Sequence, residues 1–494
     1  MKIFLQGHEY KYDVENIVRL FFINEKIEFI DDDMNVEMGK DYIISRLNRD
    51  GDGIIVDTLV SFRGCTKEDR VQQRYDGVIS SLEFSRRCKS LVKLSLYRTA
   101  KQLVPLDIPW GTLTGIRPTK IVHMLMEEGK SDDEIHAVLS EQYDVSYEKI
   151  QLAIEVAKKE RKILMESQPD SIALYIGIPF CPTRCLYCSF VSNSVQRAQK
   201  FIEPYIEALK KEIKHTSDII RDMKWNIESV YIGGGTPTAL NPEQLDRLLY
   251  ALNKDMDLTG IKEFTVEAGR PDTIDKEKLC VMKKYPVSRL SINPQTMNLD
   301  TLRTIGRLHT PEDIVHSFNL ARDLGFDNIN MDVIAGLPGE SVDMFKNTLV
   351  QVQKLDPENI TVHTMSIKRA SRLHEKIEEY TLTHGNVVEE MLSYTQKFMR
   401  DCNKHPYYLY RQKNILGNLE NVGYCKKDRE CIYNIQIMEE KQTILALGCG
   451  GVTKVVDINK NRIERIFNVK DVEEYIHRID EMLERKNRIY DYRW

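Results

Sequence analysis

The chain of 494 residues is longer than one hydrophobic core usually serves, so two or three domains are expected. Its formal net charge of −5 provides no positive field for a polyanion, which argues against a nucleic-acid partner. No apolar run approaches the roughly 18 residues of a membrane span, and the N-terminus lacks the features of a signal peptide. We therefore expect a cytoplasmic protein whose ten cysteines serve as ligands and buried thiols, not as disulfides.

Residues 1–165 predict an N-terminal α/β domain, to which the sequence assigns no role. Short apolar runs typical of strands, KIFLQ, IEFI and GIIVDTLVSF, alternate here with helical patterns. Ser131 and Glu134 have the spacing of a capping box, which predicts that a helix begins at this point. We interpret the region as a folded domain appended to the rest of the chain.

Residues 166–375 predict a parallel sheet. Six β-rich runs alternate with amphipathic helices: IALYIGI, ESVYIGG, EFTVEA, SRLSIN, NINMDVI and NITVHTM. Asn241-Pro242 and Thr310-Pro311 each give a cap residue followed by proline at the first helical position, so helices should begin there. Because the carboxyl ends of such strands form the reaction face, residues just beyond them are the functional candidates.

Three cysteines follow the first of these strands in the run LYIGIPFCPTRCLYCSF. Cys181, Cys185 and Cys188 have CxxxCxxC spacing, which places three thiolates on one short loop. Thiolates are the usual ligands of a 4Fe-4S cluster, and three of them leave one iron open to another ligand. A zinc site would need a fourth ligand, and no fourth cysteine follows before Cys280. The triplet favours an iron-sulfur cluster.

Polar or flexible residues also stand at the ends of the later strands. The second strand ends in YIGGGTPT, where three glycines allow backbone amides to approach a ligand closely, although a glycine run alone often marks only a tight turn. Taken singly, each polar residue could be a solvated strand end or a surface pair. Their succession at neighbouring strand ends predicts a shared site. The polar residues are Glu267, Arg289, Ser291, Gln295, Arg307, His309 and Asp332.

Residues 376–494 predict a mainly helical C-terminal region. It contains a segment rich in Tyr and Asn, PYYLYRQKNILGNLENVGY, and the run LALGCGG. An amphipathic helix is expected near 469–487.

The order of motifs resembles a known enzyme superfamily. The cysteine triplet with Tyr187 before its last cysteine, GGGTPT, VEAGRPD, RLSINPQT, IGRLHT, NMDVIAGLPGE and LALGCGG are similar to the radical S-adenosylmethionine (SAM) superfamily. Within it they resemble the oxygen-independent coproporphyrinogen III oxidase-like family (coproporphyrinogen dehydrogenase) of the HemZ type. The resemblance covers about residues 165–455 and implies a partial (β/α)6 barrel, a 4Fe-4S cluster and one or two SAM molecules.

The resemblance also implies residue roles. It matches Cys181, Cys185 and Cys188 to the cluster ligands, and Tyr175 and Glu267 to the catalytic positions. Ser366 and Val452 fall where the family lines the same cavity. The positions matched to SAM binding are Tyr175, Tyr187, Gly234, Gly235, Thr236, Glu267, Gln295, Arg307 and Asp332.

The reaction implied by the resemblance is the oxidative decarboxylation of coproporphyrinogen III to protoporphyrinogen IX in heme biosynthesis. A 5′-deoxyadenosyl radical abstracts hydrogen from the propionate side chains of this anionic tetrapyrrole, and flavodoxin or ferredoxin supplies electrons. Cationic side chains would grip the propionates, although an ordinary solvated charge run is the alternative for each candidate. The candidates are Lys368, Arg369, Arg372, Arg411 and Lys413.

Three departures from the family pattern are present, and the third bears on the alternatives. Gly177 replaces the histidine of the familiar HIPFC stretch, and Ser189 stands where some relatives carry a further cysteine. In ECIYNIQIM, Tyr433 occupies the place of the histidine in the His-Asn-x-x-Tyr-Trp pattern of related heme chaperones. The competing hypotheses are a heme-binding chaperone and another tetrapyrrole-directed radical SAM enzyme, such as a heme-degrading methyltransferase.

Overall fold

The structure is a computed structural model that describes residues 1–494 except 24, 32–40, 76, 78, 116, 191, 413–414, 459, 461 and 493–494. The chain forms two compact units, Met1–Ile154 and Glu155–Trp494. The sequence-based boundary near residue 375 falls inside the second unit. No helix in the described part of the chain is long and apolar enough to cross a membrane.

The first unit is built on a five-stranded sheet with the order β2-β1-β3-β4-β5. The predicted strands KIFLQ, IEFI and GIIVDTLVSF correspond to β1, β2 and β4. The strands are β1 (Lys2–Gln6), β2 (Glu28–Ile30), β3 (Tyr42–Asp50), β4 (Gly53–Phe62) and β5 (Cys65–Arg74). The helices are α1 (Lys11–Phe21), α2 (Ser81–Leu103), α3 (Thr119–Glu127), α4 (Asp132–Tyr143) and α5 (Tyr147–Glu166), which ends in the second unit.

Local sequence explains how this unit is held together. Strand β1 pairs in parallel with β2 and β3, whereas β3, β4 and β5 form an antiparallel meander. Val14, Ile17 and Val18 on α1 are fully buried in the core that also receives α2. Helix α4 begins with the predicted capping box, in which Ser131 and Glu134 satisfy each other's backbone N–H groups.

The second unit contains the predicted parallel sheet. Six parallel strands lie side by side in chain order, as expected for a partial (β/α)6 barrel, and helices connect them. The strands are β6 (Ser171–Ile178), β9 (Asn226–Gly234), β10 (Glu263–Gly269), β11 (Arg289–Ile292), β12 (Ile329–Ala335) and β13 (Asn359–Thr364). Between β6 and β9, β7 (Phe180–Cys181) pairs with β8 (Asn193–Ser194).

The connecting helices begin where the sequence predicts. Asn241 and Thr310 cap α7 and α10 through complete capping boxes, with proline at the first helical position. The helices are α6 (Val195–Met223), α7 (Pro242–Asp255), α8 (Lys276–Lys283), α9 (Leu299–Thr304), α10 (Pro311–Asp323) and α11 (Val342–Lys354).

The C-terminal region extends this sheet at both edges, and strands as well as helices form it. Strand β16 joins β6 in parallel, and β15 joins β13 in antiparallel fashion. The amphipathic helix expected near 469–487 is two helices that meet at Arg478. The strands are β14 (His405–Tyr410), β15 (Asn421–Cys425), β16 (Thr443–Leu447), β17 (Val452–Asp457) and β18 (Arg462–Phe467). The helices are α12 (Arg372–Glu375), α13 (Gly385–Asp401), α14 (Ile432–Glu439), α15 (Val472–His477) and α16 (Ile479–Asn487).

Candidate active site

A cavity of about 620 Å³ lies at the carboxyl ends of the parallel strands. Every residue that the sequence analysis assigns to the metal or to SAM lines this cavity, from Tyr175 on β6 to Val452 on β17. Strand register explains part of this convergence, because Tyr175 pairs with Tyr231 and Asp332 pairs with Thr361 on adjacent strands. The topology therefore gathers side chains that lie far apart in the sequence.

Hydrogen bonds from the backbone and from one side chain hold the cysteine loop against neighbouring segments. The N–H of Leu186 donates to the carbonyl of Ile305 at 2.9 Å, and the carbonyl of Leu186 accepts from the N–H of Leu373 at 2.9 Å. Arg184 donates to the carbonyl of Ala370. These contacts hold Cys181, Cys185 and Cys188 along one side of the cavity, and all three are free thiols.

The surroundings of the thiols fit a cluster that needs close backbone contact. Burial raises the pKa of the Cys181 thiol and raises that of Cys188 to about 11, so the thiol forms are favoured at neutral pH unless a bound metal stabilises the thiolates. A Cβ on Gly235 would lie 3.0 Å from the Cys181 sulfur and 2.6 Å from the carbonyl of Phe180. Thr236 donates from Oγ1 to the same sulfur at 3.4 Å. A side chain at this position would therefore collide with the cysteine loop, so glycine is required for the close approach of the two segments.

Gly234 adopts a backbone conformation that favours glycine, with φ of +104°. A Cβ at this position would lie 3.3 Å from the Tyr175 hydroxyl and 3.2 Å from the N–H nitrogen of Ile178. Both glycines therefore keep the end of β9 close to the end of β6.

Glu267 is held by a neighbour that the sequence analysis did not single out. Tyr231 on β9 donates its hydroxyl to Glu267 Oε1 at 2.6 Å. Burial raises the pKa of Glu267 to about 7; the hydrogen bond from Tyr231 opposes this rise, and the charge of Asp332 adds to it. This carboxyl is therefore poised to change its charge near neutral pH.

Asp332 begins a chain of polar contacts across the cavity. Asn330 donates to Asp332 Oδ1 at 2.7 Å, and His363 Nε2 lies 3.6 Å from Asp332 Oδ2. His363 Nδ1 lies 3.2 Å from the Tyr410 hydroxyl, which also accepts from Gln412 Nε2 at 3.3 Å. Burial raises the pKa of Asp332, but the hydrogen bond and charge of His363 and the hydrogen bonds from Asn330 and Thr361 together outweigh burial. The pKa is therefore lowered and the carboxylate is ionised.

Arg307 is buried and directs its guanidinium into the cavity. It donates through Nη1 to the carbonyl of Asn293 at 2.6 Å and through Nη2 to the Tyr187 hydroxyl at 3.2 Å. Its Nε has no hydrogen-bond partner among the described residues. A buried donor without a partner is costly, so this N–H points to a ligand acceptor.

Gln295 has a left-handed backbone with φ of +68°. Its N–H donates to the carbonyl of Asp332, and its carbonyl accepts from the N–H of Ile334, both at 2.9 Å. This bridge pins the segment after β11 to β12. Ser366, after β13, and Val452 line other parts of the cavity.

The segment around Tyr433 forms another wall of the cavity. Glu263 accepts a hydrogen bond from the N–H of Ile432 at 2.7 Å and so anchors the beginning of α14. The Tyr433 ring stacks on that of Tyr231, with centroids 4.6 Å apart, and on that of Tyr175 at 6.2 Å. The residue in the place of the chaperone histidine therefore belongs to an aromatic stack.

The cationic candidates separate into different environments. Lys368 is half-buried and lines the cavity, and its ammonium makes no hydrogen bond or ion pair with any described residue. Arg411 is buried and donates to the carbonyl of Asn418, and burial lowers its pKa to about 10. Arg369 and Arg372 are exposed, and Lys413 lies outside the described residues. Lys368 is the candidate that faces the cavity.

Sequence reasoning missed Tyr231 and His363. Both are half-buried residues within a mostly buried strand, as are Tyr175, Glu267 and Asp332 on their strands. Placing the six strands in register by their ends would have aligned Tyr231 with Tyr175. His309, in contrast, is fully buried beside Asp272.

Comparison with known proteins identifies the family. Residues 175–352 match the family described as the Radical SAM superfamily. The oxygen-independent coproporphyrinogen-III oxidase-like protein HemZ of Bacillus subtilis is 42% identical over 380 residues, which cover 76% of each chain. The chain belongs to this HemZ-like family of radical SAM proteins.

Other relatives of the HemZ-like chain carry two kinds of name. The heme chaperone HemW of Bacillus subtilis is 36% identical over 195 residues, which cover 39% of this chain and 50% of HemW. The oxygen-independent coproporphyrinogen III oxidase of Escherichia coli is 26% identical over 316 residues, or 63% of this chain and 66% of that protein. The solved structure of coproporphyrinogen III oxidase (HemN) from Escherichia coli shares the fold, with a TM-score of 0.51 and 22% identity. The matched region covers 66% of this chain and 73% of the HemN chain.

Membership of the radical SAM superfamily implies a 4Fe-4S cluster and SAM. The three free thiols, the glycine backbone at Gly234 and Gly235 along the cavity, and the Nε of Arg307, which has no partner among the described residues, fit these groups.

Proposed function

We propose that this HemZ-like protein is an oxygen-independent coproporphyrinogen III oxidase of the cytoplasm, which converts coproporphyrinogen III to protoporphyrinogen IX in heme biosynthesis. The observation that carries the proposal is a cavity in which three features meet: the cysteine loop, the glycines at the end of β9, and Lys368, whose ammonium has no partner among the described residues. A cluster site and an anion site in one cavity suit radical chemistry on a carboxylated substrate.

In this proposal, different residues bind the cluster and SAM. Cys181, Cys185 and Cys188 hold the cluster, and the backbone at Gly234 and Gly235 lies against SAM. When bound, the reduced cluster and SAM supply the abstraction of a hydrogen atom. Arg307 contributes its unpartnered N–H to the SAM carboxylate, because a guanidinium is suited to carboxylate recognition.

In the same cavity, Asp332 accepts hydrogen bonds from SAM, and the stacked Tyr175, Tyr231 and Tyr433 exclude water from the reacting atoms. Lys368 binds a propionate of the substrate, since its ammonium has no partner among the described residues and is partly desolvated. An electron donor such as flavodoxin or ferredoxin reduces the cluster.

The charge of Glu267 makes SAM binding depend on pH. SAM carries a sulfonium cation, which favours the ionised carboxylate of a group whose pKa burial raises to about 7. SAM affinity should therefore increase between about pH 6 and about pH 8, and Glu267→Gln should flatten this increase. Calorimetric titrations with SAM at both pH values measure how much the affinity changes with pH. Equal slopes in wild type and variant would contradict the role of Glu267.

The same carboxyl affects stability without ligand. Its pKa lies above the ordinary value of 4.5, so the folded chain keeps a proton that the unfolded chain has lost as pH rises towards 7. The free energy of unfolding therefore falls with rising pH in this window. Thermal unfolding should show Glu267→Gln to be more stable than wild type near pH 8 and nearly equal to it near pH 5.

The proposed activity is tested by anaerobic incubation of the reconstituted protein with SAM, a reductant and coproporphyrinogen III. Coproporphyrinogen should stimulate formation of 5′-deoxyadenosine and yield protoporphyrinogen through a monovinyl intermediate, because two propionates react in turn. Lys368→Gln should raise KM for coproporphyrinogen about tenfold, as expected for the loss of one ion pair between a half-buried ammonium and a substrate carboxylate. Lys454→Gln, which removes a cavity lysine paired with Glu440, provides the matched control. A rate of SAM cleavage that does not change when coproporphyrinogen III is added would refute the proposal.

A heme chaperone is the second candidate, and His363 is the observation that favours it. Although Tyr433 replaces the chaperone histidine, His363 places another imidazole in the same cavity, and imidazole is a common heme ligand. Tight stoichiometric heme binding that is lost in His363→Ala, together with SAM cleavage indifferent to coproporphyrinogen, would support this candidate over the oxidase.

A further inference from the structure

Arg270, in the motif VEAGRPD, is a buried cation beside the cysteine loop. It follows β10, is 3% exposed and lines the cavity. Its Nε and Nη2 donate to the two carboxylate oxygens of Asp272 at 3.0 Å and 2.9 Å. This two-point contact fixes the plane of the guanidinium and leaves Nη1 free to reach elsewhere.

Nη1 reaches the middle of the cysteine loop. It donates to Thr183 Oγ1 at 2.6 Å and to the Thr183 carbonyl at 3.2 Å. Thr183 lies between Cys181 and Cys185, and its hydroxyl donates onward to the carbonyl of Gly306 at 3.1 Å. One threonine thus joins the loop to the end of β10 and to the segment before Arg307.

The carboxylate of Asp272 has a second neighbour. His309 Nδ1 lies 3.6 Å from Asp272 Oδ1, and the side chain of His309 is fully buried. Asp272 is held between a guanidinium and an imidazole on two different elements. The guanidinium of Arg270 therefore cannot turn away from the loop without breaking its two-point contact with Asp272, which would leave the buried guanidinium without its charged partner.

We propose that Arg270 is a positioning residue for the cysteine loop, that it keeps the loop closed on the cluster through Thr183, and that its charge raises the cluster's reduction potential. This proposal rests on the proposed function only in requiring a cluster at the three cysteines. Residues that orient metal ligands commonly affect metal retention, and a buried positive charge stabilises the reduced, more negative form of a cluster.

The two effects are separable by mutation. Thr183→Val removes the hydroxyl and leaves the Arg270–Asp272 pair in place, so a chelator should remove the cluster several-fold faster while the midpoint potential stays near that of wild type. Thr183→Ser should restore the slow rate. Arg270→Gln removes the charge as well, and it should both accelerate cluster loss and shift the midpoint potential to a more negative value.

The measurements are iron release to a chelator and a redox titration followed by electron paramagnetic resonance, both on anaerobically reconstituted full-length protein. Arg322→Gln is the matched control, because Arg322 pairs with a mostly buried carboxylate, Glu358, before β13, at the opposite ends of the strands. It should leave both readouts unchanged.

The outcomes separate this proposal from the proposed function. A wild-type protein that takes up no iron would refute the cluster and, with it, the role of Arg270. A loaded wild-type protein with an unchanged release rate in Thr183→Val and an unchanged potential in Arg270→Gln would refute the role of Arg270 alone. If Arg270→Gln does not fold, the Thr183 variants still decide whether the contact holds the loop.

Discussion

Replacement of Cys181, Cys185 or Cys188 by alanine should leave the protein without iron-sulfur cluster and without SAM cleavage. Three thiolates from one loop provide no spare ligand, and burial already disfavours a thiolate that no metal stabilises. Iron and sulfide content after anaerobic reconstitution, together with the visible absorption of the cluster, measure the effect. Each variant should fall to the background of the apoprotein.

Two other cysteines serve as controls for this result. Cys280 is exposed on α8, and Cys425 is buried on β15. Alanine at either position should leave the iron content unchanged. Because Cys425 is buried, Cys425→Ala also shows how a cavity in the core affects iron content when no cluster ligand is lost. A full cluster in any one of the three loop variants would contradict the assignment.

Asp332→Asn and Arg307→Gln should retain the cluster and bind SAM roughly thirty-fold more weakly, since a charge-assisted hydrogen bond in a desolvated site contributes about 2 kcal/mol. Asp332 is ionised beside His363, and Arg307 has an N–H without a partner among the described residues. Equilibrium binding of SAM to the reconstituted variants measures the loss.

Arg303→Gln is the matched control for Arg307. It lies on α9, four residues earlier in the chain, and pairs on the surface with Asp300. SAM affinity should not change in this variant, because exposed ion pairs contribute little. Wild-type affinity in both Asp332→Asn and Arg307→Gln would show that residues at the strand ends do not bind SAM.

Local signals in the sequence predicted much of the fold. The helix starts at Asn241 and Thr310 follow from interactions within four residues, and both capping boxes form as expected. All six parallel strands lie where the apolar runs place them. Gathering of the strand-end residues into one cavity follows from the parallel topology, which the alternation of strands and helices indicates.

Pairings between distant segments could not be predicted in the same way. Strand β16 joins β6 across more than 260 residues, with Thr443 opposite Ile172, and no local pattern encodes that partner. The role of Tyr231 depends on the Glu267 carboxyl of the next strand, and that of His363 on Asp332. Such contacts become visible only when the register between strands is known.

Transfer of a labelled atom tests the central claim most directly. Coproporphyrinogen III deuterated at the β-carbons of its propionates should be incubated anaerobically with the reconstituted protein, SAM and reductant. We predict deuterium in the 5′-deoxyadenosine and a porphyrin that has lost two carboxyl groups, as expected for abstraction at the β-carbon, which adjoins the carbon that bears the departing carboxylate. Unlabelled 5′-deoxyadenosine with unchanged coproporphyrinogen would contradict the account.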